Sequence, residues 1–171
     1  FTMKKLLVKN IGLLATPEGK SAHRGEEQGK IKFLKGAWVL IEDSIIASVG
    51  TGAVPAVEGA EVVDAGGHLV TPGLVDAHTH LIFGGWRQNE LGLKLHGASY
   101  LDIQNAGGGI QSTTNATRQA SEQELAAKAS KALDEMMGFG VTTCEAKSGY
   151  GLATDHELKE LRVIRDLNER H

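Results

Sequence analysis

Two histidines and an aspartate stand at alternate positions in the segment VTPGLVDAHTHL, residues 70–81. Alternate side chains of a β-strand share one face, so Asp76, His78 and His80 are predicted to point the same way. Two imidazoles on one face can together bind a first-row transition metal, and the aspartate can orient a ring or satisfy a buried donor. The same residues could equally be hydrogen-bonded polar groups at the end of a strand.

The first 67 residues are predicted to form a small β domain. Apolar, β-branched stretches run over residues 4–16 and 37–50, with a turn at residues 42–44 inside the second. A further short strand is expected within residues 58–69, and the polar, glycine-rich residues 17–30 predict a loop. Short strands in succession favour a small sandwich or barrel-like sheet.

Residues 68–171 show a different rhythm, in which strands alternate with helices. A buried strand is predicted over residues 69–83, and a second strand over residues 140–150. Residues 83–120 are expected to be irregular, apart from a short helix near NELGLKL. The alternation indicates parallel βα units of a (β/α)₈ barrel, and a complete barrel needs roughly 250 residues. The chain is therefore expected to hold only the first two or three units.

Two longer helices complete this second region. The first follows a capping box of Ser121 and Glu124 and ends at the glycines of residues 138–140. The second is predicted to begin with a cap formed by Thr154 and Glu157. The apolar face predicted for this last helix consists of Leu158, Leu161, Ile164 and Leu167.

Composition excludes several classes of function. The net charge is −3 over 171 residues with no block of like charges, which disfavours binding to nucleic acid or to an acidic membrane surface. No apolar run approaches the roughly 18 residues of a membrane span. The single cysteine, Cys144, excludes an internal disulfide and favours a reducing, cytoplasmic location. Phe1 and Thr2 are expected to be a remnant before a natural start at Met3.

Three further features are given structural interpretations. Residues 107–109 are all glycine, but no Lys-Ser/Thr follows them, so they predict a flap over the barrel mouth rather than a phosphate loop. Cys144 is expected to be a small buried side chain. Lys147 fits poorly as a carboxylated, metal-bridging lysine because it would lie in the second barrel strand.

A longer pattern, DAGGHLVTPGLVDAHTH at residues 64–80, resembles the signature of the amidohydrolase superfamily. In that superfamily a small β domain leads into a metal-binding (β/α)₈ barrel. Residues 83–118 and 140–152 resemble, more narrowly, the imidazolonepropionase family of histidine degradation. The resemblance runs from about residue 61 to the end of the chain and more loosely over the β region before it.

The resemblance implies a set of roles. His78 and His80 match the first two ligands of a zinc or iron ion, Arg87 matches the residue that binds the substrate carboxylate, and Tyr150 matches a second substrate contact. The implied reaction is hydrolysis of 4-imidazolone-5-propanoate to N-formimino-L-glutamate by a homodimer. A further histidine, an aspartate and the proton-transfer groups are expected beyond residue 171, so no catalytic residue is assigned within this chain.

Two other functions remain open from the sequence. A different amidohydrolase, of deaminase or hydantoinase type, would keep the two histidines but should lack the pair of Arg87 and Tyr150. A non-catalytic segment with only a metal-binding or interaction role would also retain the histidines. Taken alone, Arg87 would be a solvated loop charge, and Tyr150 would be a core or rim residue.

Overall fold

The structure is a computed structural model that describes residues 4–19 and 21–170. The expected start at Met3 lies outside the described residues, as does the terminal histidine of the chain. The chain divides into two compact units, Phe1–Pro72 and Gly73–His171. No helix among the described residues is both long enough and apolar enough to cross a membrane.

The first unit is a single five-stranded sheet. Its strands are β1 Lys5–Pro17, β2 Ile31–Glu42, β3 Ile45–Thr51, β4 Glu61–Asp64 and β5 Leu69–Val70. The order is β3-β2-β1-β4, and β5 also pairs with β1. The two hairpin pairings are antiparallel, whereas β4 and β5 run parallel to β1. A short 3₁₀ turn, Gly25–Gly29, lies in the loop between β1 and β2.

The predicted turn between β2 and β3 is confirmed, and Asp43 adopts a positive φ of 53° there. Apolar residues of the central strands form the core of this sheet, with Ile11 fully buried. Because β5 pairs with β1, its two residues belong to this first unit. The units consequently divide after Pro72, five residues later than the sequence boundary at residue 67.

The second unit combines two strands with five helices. Its elements are β6 Leu74–Thr79, α1 Asn89–Leu95, α2 Tyr100–Asn105, α3 Gly109–Gln119, α4 Glu122–Gly138, β7 Val141–Ala146 and α5 Thr154–Asn168. β6 and β7 are parallel neighbours, as the alternation of strands and helices predicted. The capping box that starts α4 is present in both directions, with the Ser121 hydroxyl and the Glu124 carboxylate each accepting the other residue's N–H.

The core of this unit joins the end of β6 to helices α4 and α5. Ile82 is fully buried, and the other buried members of the cluster are Leu81, Leu125, Ala129, Val163 and Leu167. Leu81 and Ile82 directly follow the two histidines. The packing that holds α4 and α5 therefore also fixes the backbone just after His80.

Several sequence predictions for the second unit are wrong. Residues 100–119 are mostly helical rather than irregular, and Ser99 with Asp102 forms a capping box that could have revealed α2. Helix α5 has no side-chain cap from Thr154, because Ala153 occupies the N-cap position. Its buried residues are Glu160, Val163 and Leu167, and Ile164 packs against the core, so the predicted apolar face is confirmed only at Ile164 and Leu167. Leu158 and Leu161 are each 46% exposed.

The prediction of a buried strand at residues 69–83 is also wrong in part. Residues 69–70 and 74–79 form separate strands, and Val75 of β6 is 68% exposed in this chain. β7 is the only strand that pairs with β6 among the described residues. One parallel neighbour covers too little of β6 to bury its apolar side chains, which parallel sheets normally cover on both faces.

Candidate metal and substrate site

The carboxyl ends of β6 and β7 bring the predicted site residues of two distant segments together. His78 lies near the end of β6, His80 follows the strand, and Tyr150 comes four residues after β7. The rings of His78 and His80 lie 5.8 Å apart between centroids, at an interplanar angle of 81°. The ring of Tyr150 lies 5.3 Å from that of His80. The carboxyl ends of parallel barrel strands are where such folds place their chemistry.

His78 has charged neighbours on the β7 side. The Lys147 ammonium lies 3.3 Å from His78 Nδ1 within hydrogen-bonding reach, and Glu145 Oε2 lies 3.8 Å from the same nitrogen. Asp76 does not contact either ring by hydrogen bonding; its Oδ1 accepts the backbone N–H of His78 at 3.2 Å. With Nδ1 turned toward β7, the Nε2 atom of His78 is the nitrogen left for a metal ion.

His80 is held in a tighter environment. Its Nδ1 is buried and has no hydrogen-bond partner among the described residues. A Cβ atom placed on Gly149 would lie only 2.7 Å from His80 Cε1, and Gly149 has a φ of 145°. Only glycine tolerates both the dihedral and this close approach. The turn after β7 that contains Gly149, Tyr150 and Gly151 therefore packs its backbone directly against His80.

The histidine pair fits part of a metal centre. A buried imidazole nitrogen without a partner is unusual in proteins, and an imidazole is a common ligand for zinc and iron. Among the described residues, no group of three or more histidine, cysteine, aspartate or glutamate side chains could hold a metal ion. His78 and His80 therefore supply two donors, and a closed site needs more.

Two carboxylates of α5 support the turn that carries Tyr150. Glu160 is fully buried, its Oε2 accepts the backbone N–H of Gly149 at 3.1 Å, and its Oε1 has no partner among the described residues. Burial, with a contribution from the charge of Glu157, raises the pKa of Glu160 to about 7 against the opposing backbone hydrogen bonds. Glu157 Oε1 accepts the N–H of Leu152 at 2.6 Å. Burial opposes ionisation of Glu157, but hydrogen bonds from Ser148 and the turn outweigh it and lower its pKa.

We expect Glu160→Gln to stabilise the protein at pH 8 and to have little effect at pH 4.5. The folded state binds more protons at Glu160 than the unfolded state does between about pH 4.5 and 7, so its burial costs increasing stability as the pH rises through that window. The amide keeps an acceptor for Gly149 and carries no charge. The expected gain at pH 8 is about 1–3 kcal/mol, measured by urea unfolding across this pH range.

Glu157→Gln is the matched control for this experiment, because it lies one turn away on the same helix. The lowered pKa of Glu157 means that its carboxylate stabilises the folded state above the unfolded pKa, and that this contribution is lost as the pH falls. The control should therefore destabilise the protein at pH 8. A Glu160→Gln effect that is the same at both pH values would contradict the buried, proton-binding state of Glu160.

Arg87 lies on the segment that leaves β6 toward α1. Its side chain is exposed, and none of the hydrogen bonds or ion pairs of the described residues uses its guanidinium. The preceding aromatic residues join the segment to the site: Phe83 lies 5.2 Å from Trp86 and 5.9 Å from Tyr150 between ring centroids. Arg87 is thus free to bind an anion at the edge of an aromatic cluster that includes the Tyr150 ring.

The sequence did not reveal the residues that hold these loops. No sequence pattern singles out Glu160, Glu145 or Lys128. Lys147, which the sequence disfavours as a metal-bridging residue, has its ammonium beside His78. Residues 107–109, interpreted as a flap, form the link between α2 and α3, where the Gly109 N–H donates to the buried Glu90. Cys144 is partly buried, and burial together with the charge of Asp76 raises the pKa of its thiol. The sequence offers one signal for Glu160, which is its spacing of three and seven residues from Val163 and Leu167 and hence its place on their helix face.

The comparisons with known proteins support the resemblance to amidohydrolases. Residues 61–106 match the model of the Amidohydrolase family. Among solved structures, a triazine hydrolase from Arthobacter aurescens aligns with 96% of this chain and 34% of its own, at 18% identity and a TM-score of 0.57. An A. niger ochratoxinase aligns with 97% of this chain and 29% of its own, at 20% identity and a TM-score of 0.53. These likenesses concern the fold, and they confirm a small β domain followed by part of a (β/α)₈ barrel.

The relatives with higher sequence identity all carry the name of one enzyme. The chain is homologous to imidazolonepropionases from Alkaliphilus metalliredigens, at 46% identity over 99% of this chain, and from Porphyromonas gingivalis, at 50% identity over 96%. The Bacillus cereus enzyme is 47% identical over 99% of this chain. The resemblance to amidohydrolases, and among them to imidazolonepropionases, is confirmed. The chain spans about 40% of the length of these curated relatives.

Proposed function

We propose that the protein hydrolyses the cyclic amide C–N bond of 4-imidazolone-5-propanoate, giving N-formimino-L-glutamate. The observation that carries the proposal is the meeting of His78, His80 and Tyr150 at the carboxyl ends of β6 and β7. The identity of 46–50% to imidazolonepropionases supports it. In the balanced reaction, water gives its hydroxyl to the ring carbonyl carbon and its remaining hydrogen to the ring nitrogen, and the bond between these two ring atoms breaks.

The residues that would hold the metal, zinc or iron, are His78 and His80. When bound, such an ion supplies Lewis-acid polarisation and lowers the pKa of a coordinated water. The Glu145 carboxylate lies on the Nδ1 side of His78 and would orient the ring as the acceptor for its Nδ1–H, as carboxylates do beside metal-bound histidines, while Lys147 pairs with Glu145. The remaining ligands and the proton-transfer groups are proposed to lie in the part of the relatives' length that this chain does not span.

Arg87 and Tyr150 would orient the substrate. The Arg87 guanidinium can donate two parallel hydrogen bonds to the propanoate carboxylate, a geometry that a carboxylate matches well. The Tyr150 hydroxyl can donate to the same anion or to the ring, while its own ring packs against His80. With Arg87 and Tyr150 both bound, the substrate would present its ring carbonyl toward the histidine pair. This role is a positioning effect.

The decisive experiment is an assay of the full-length protein on 4-imidazolone-5-propanoate, following loss of the imidazolone absorbance and formation of N-formimino-L-glutamate by mass spectrometry. Turnover that disappears with chelation and returns with zinc or iron is the expected result. Turnover of guanine or hydantoin in its place would indicate a different amidohydrolase. Stoichiometric metal without turnover of any of the three would indicate a binding role alone.

The partner and location are proposed on the resemblance and on the composition. We expect a homodimer, which sedimentation equilibrium of the full-length protein would measure directly. We also expect a cytoplasmic protein that binds neither nucleic acid nor membrane, consistent with the single cysteine and the small net charge. The proposed division is a β domain over residues 1–67 and the first barrel units over residues 68–171, with residues 68–72 packed as part of the first compact unit.

A further inference from the structure

Lys128 of α4 reaches across the unit to the segment that leads to Arg87. Its ammonium donates hydrogen bonds to the backbone carbonyls of Phe83, at 3.0 Å, and Gly85, at 2.6 Å. These two carbonyls flank Gly84, so one side chain bridges three consecutive residues of the segment. Lysine has three donor hydrogens and no acceptor, which suits it to this double contact.

The same ammonium also lies against two aromatic faces. Lys128 Nζ is 3.3 Å from the centroid of the Phe83 ring and 3.9 Å from that of the Trp86 ring. Both contacts fall well within the distance at which a cation is attracted to a ring face. Burial lowers the pKa of Lys128 to about 8, while the carbonyls and the rings favour the charged form. The partly desolvated ammonium of Lys128 therefore makes these hydrogen bonds and ring contacts with a single loop.

Helix α3 also fixes this segment. The Gly84 N–H donates to Thr117 Oγ1 at 2.9 Å in a buried hydrogen bond. A Cβ atom on Gly84 would lie 2.4 Å from the backbone of Ala116, so the two backbones are in direct contact. Because α3 holds Gly84 and Lys128 holds Phe83, Gly85 and Trp86, the segment has little freedom up to Trp86, the residue before Arg87.

We propose that Lys128 is a positioning residue for Arg87, setting the direction from which the guanidinium meets the substrate carboxylate. This inference rests on the proposed function. The hydrogen bonds and ring contacts of Lys128 among the described residues are all with the Phe83–Trp86 segment, and none is with the histidines or Tyr150, so Lys128 would act through that segment. The Tyr150 ring packs near Phe83, so Lys128 would also fix the position of the aromatic cluster relative to Arg87.

The test is a double-mutant cycle in the full-length, metal-loaded protein with 4-imidazolone-5-propanoate. Lys128→Met keeps the aliphatic stem and removes the charge and the donors. We expect it to raise KM about tenfold with a smaller change in kcat, because it loosens substrate binding and leaves the histidines in place. In an Arg87→Ala background, the same substitution should leave KM unchanged, since residues that act as a unit are non-additive.

Lys131→Met is the matched control, because Lys131 lies one turn further along α4 with its ammonium exposed beside Glu135. It should leave both constants unchanged. An unchanged KM in Lys128→Met overturns the inference, and so does a KM effect that persists in full when Arg87 is alanine. If Arg87→Ala alone leaves KM unchanged while turnover persists, Arg87 does not bind the carboxylate, and the inference about Lys128 is overturned with that role. If the unmutated protein shows no turnover, it is the proposed function that is overturned.

Lys128→Arg keeps the cycle informative if the methionine variant does not fold. Arginine preserves the charge but spreads its donors over a rigid planar fork, which cannot reproduce a single ammonium shared by two carbonyls. The same rise in KM, again abolished by Arg87→Ala, is expected. An arginine variant with unaltered KM would show that charge alone is required at this position, and would overturn the positioning role.

Discussion

Replacing His80 by alanine in the full-length protein is expected to abolish stoichiometric metal binding and to lower kcat by more than about 100-fold. Loss of an outer-layer partner already costs 10–100-fold in affinity or activity at metal sites, and His80 is proposed to be a direct ligand. Its Nδ1 is buried without a partner among the described residues and the Gly149 backbone packs against its ring, so alanine would remove both the donor atoms and this packing. Metal content measured by atomic emission, alongside kcat, checks the prediction.

His78→Ala should have the same effect, because both imidazoles stand at the same strand end. His96→Ala is the control: His96 is exposed at the end of α1, and its Nδ1 contacts the Gly92 carbonyl of the same helix. That variant should keep its metal and its activity. Full metal occupancy in His80→Ala would mean that the histidine pair is not a ligand set, and would favour hydrogen-bonded polar residues at a strand end.

Arg87→Ala is expected to reduce kcat/KM on the imidazolone substrate by roughly 100-fold, mainly through KM. Removing one partner of a hydrogen-bonded charge pair at a binding site costs about 2–5 kcal/mol, and the carboxylate would lose two donors at once. The guanidinium is exposed and uncommitted to other described residues, so its removal should not disturb the fold. Steady-state kinetics, with unfolding curves to confirm equal stability, provide the measurement.

Arg87→Lys should recover only part of this loss, because an ammonium is a point charge that cannot match a carboxylate with two parallel hydrogen bonds. Arg165→Ala is the control, since Arg165 is an exposed arginine of α5 paired with the adjacent Asp166. A substrate analogue without the carboxylate should be insensitive to Arg87→Ala. Equal losses for the substrate and this analogue would show that Arg87 acts on stability or on the metal site, and not on the carboxylate.

Local patterns predicted much of the secondary structure. The capping box at Ser121 and the turn between β2 and β3 are confirmed, since each depends on contacts between residues only a few positions apart. The cap expected from Thr154 is wrong for an instructive reason. The Glu157 carboxylate accepts the N–H of Leu152, five residues before it, and Ala153 takes the N-cap position, so Thr154 does not cap the helix.

The face of α5 shows the limit of hydrophobic patterning. Leucines at residues 158 and 161 suggested one face, but the helix buries Glu160 because that carboxylate supports the backbone of Gly149. Periodicity assumes that the buried face is apolar. A buried polar group with a specific partner violates that assumption, and the partner lies eleven positions away in a turn whose path the sequence does not reveal.

The sequence alone is enough to identify the alternation of strands and helices, the two-residue spacing of His78 and His80, and the motifs shared with imidazolonepropionases. The residues that surround the two histidines are known only from the fold. Lys147 meets His78 from 69 positions away, and Lys128 meets the carbonyl of Phe83 from 45 positions away. Propensity and periodicity act over a few residues, whereas these contacts depend on how parallel strands align and how helices pack on them. The two candidate ligands can therefore be identified from the sequence, whereas the residues packed around them are identified only from the structure.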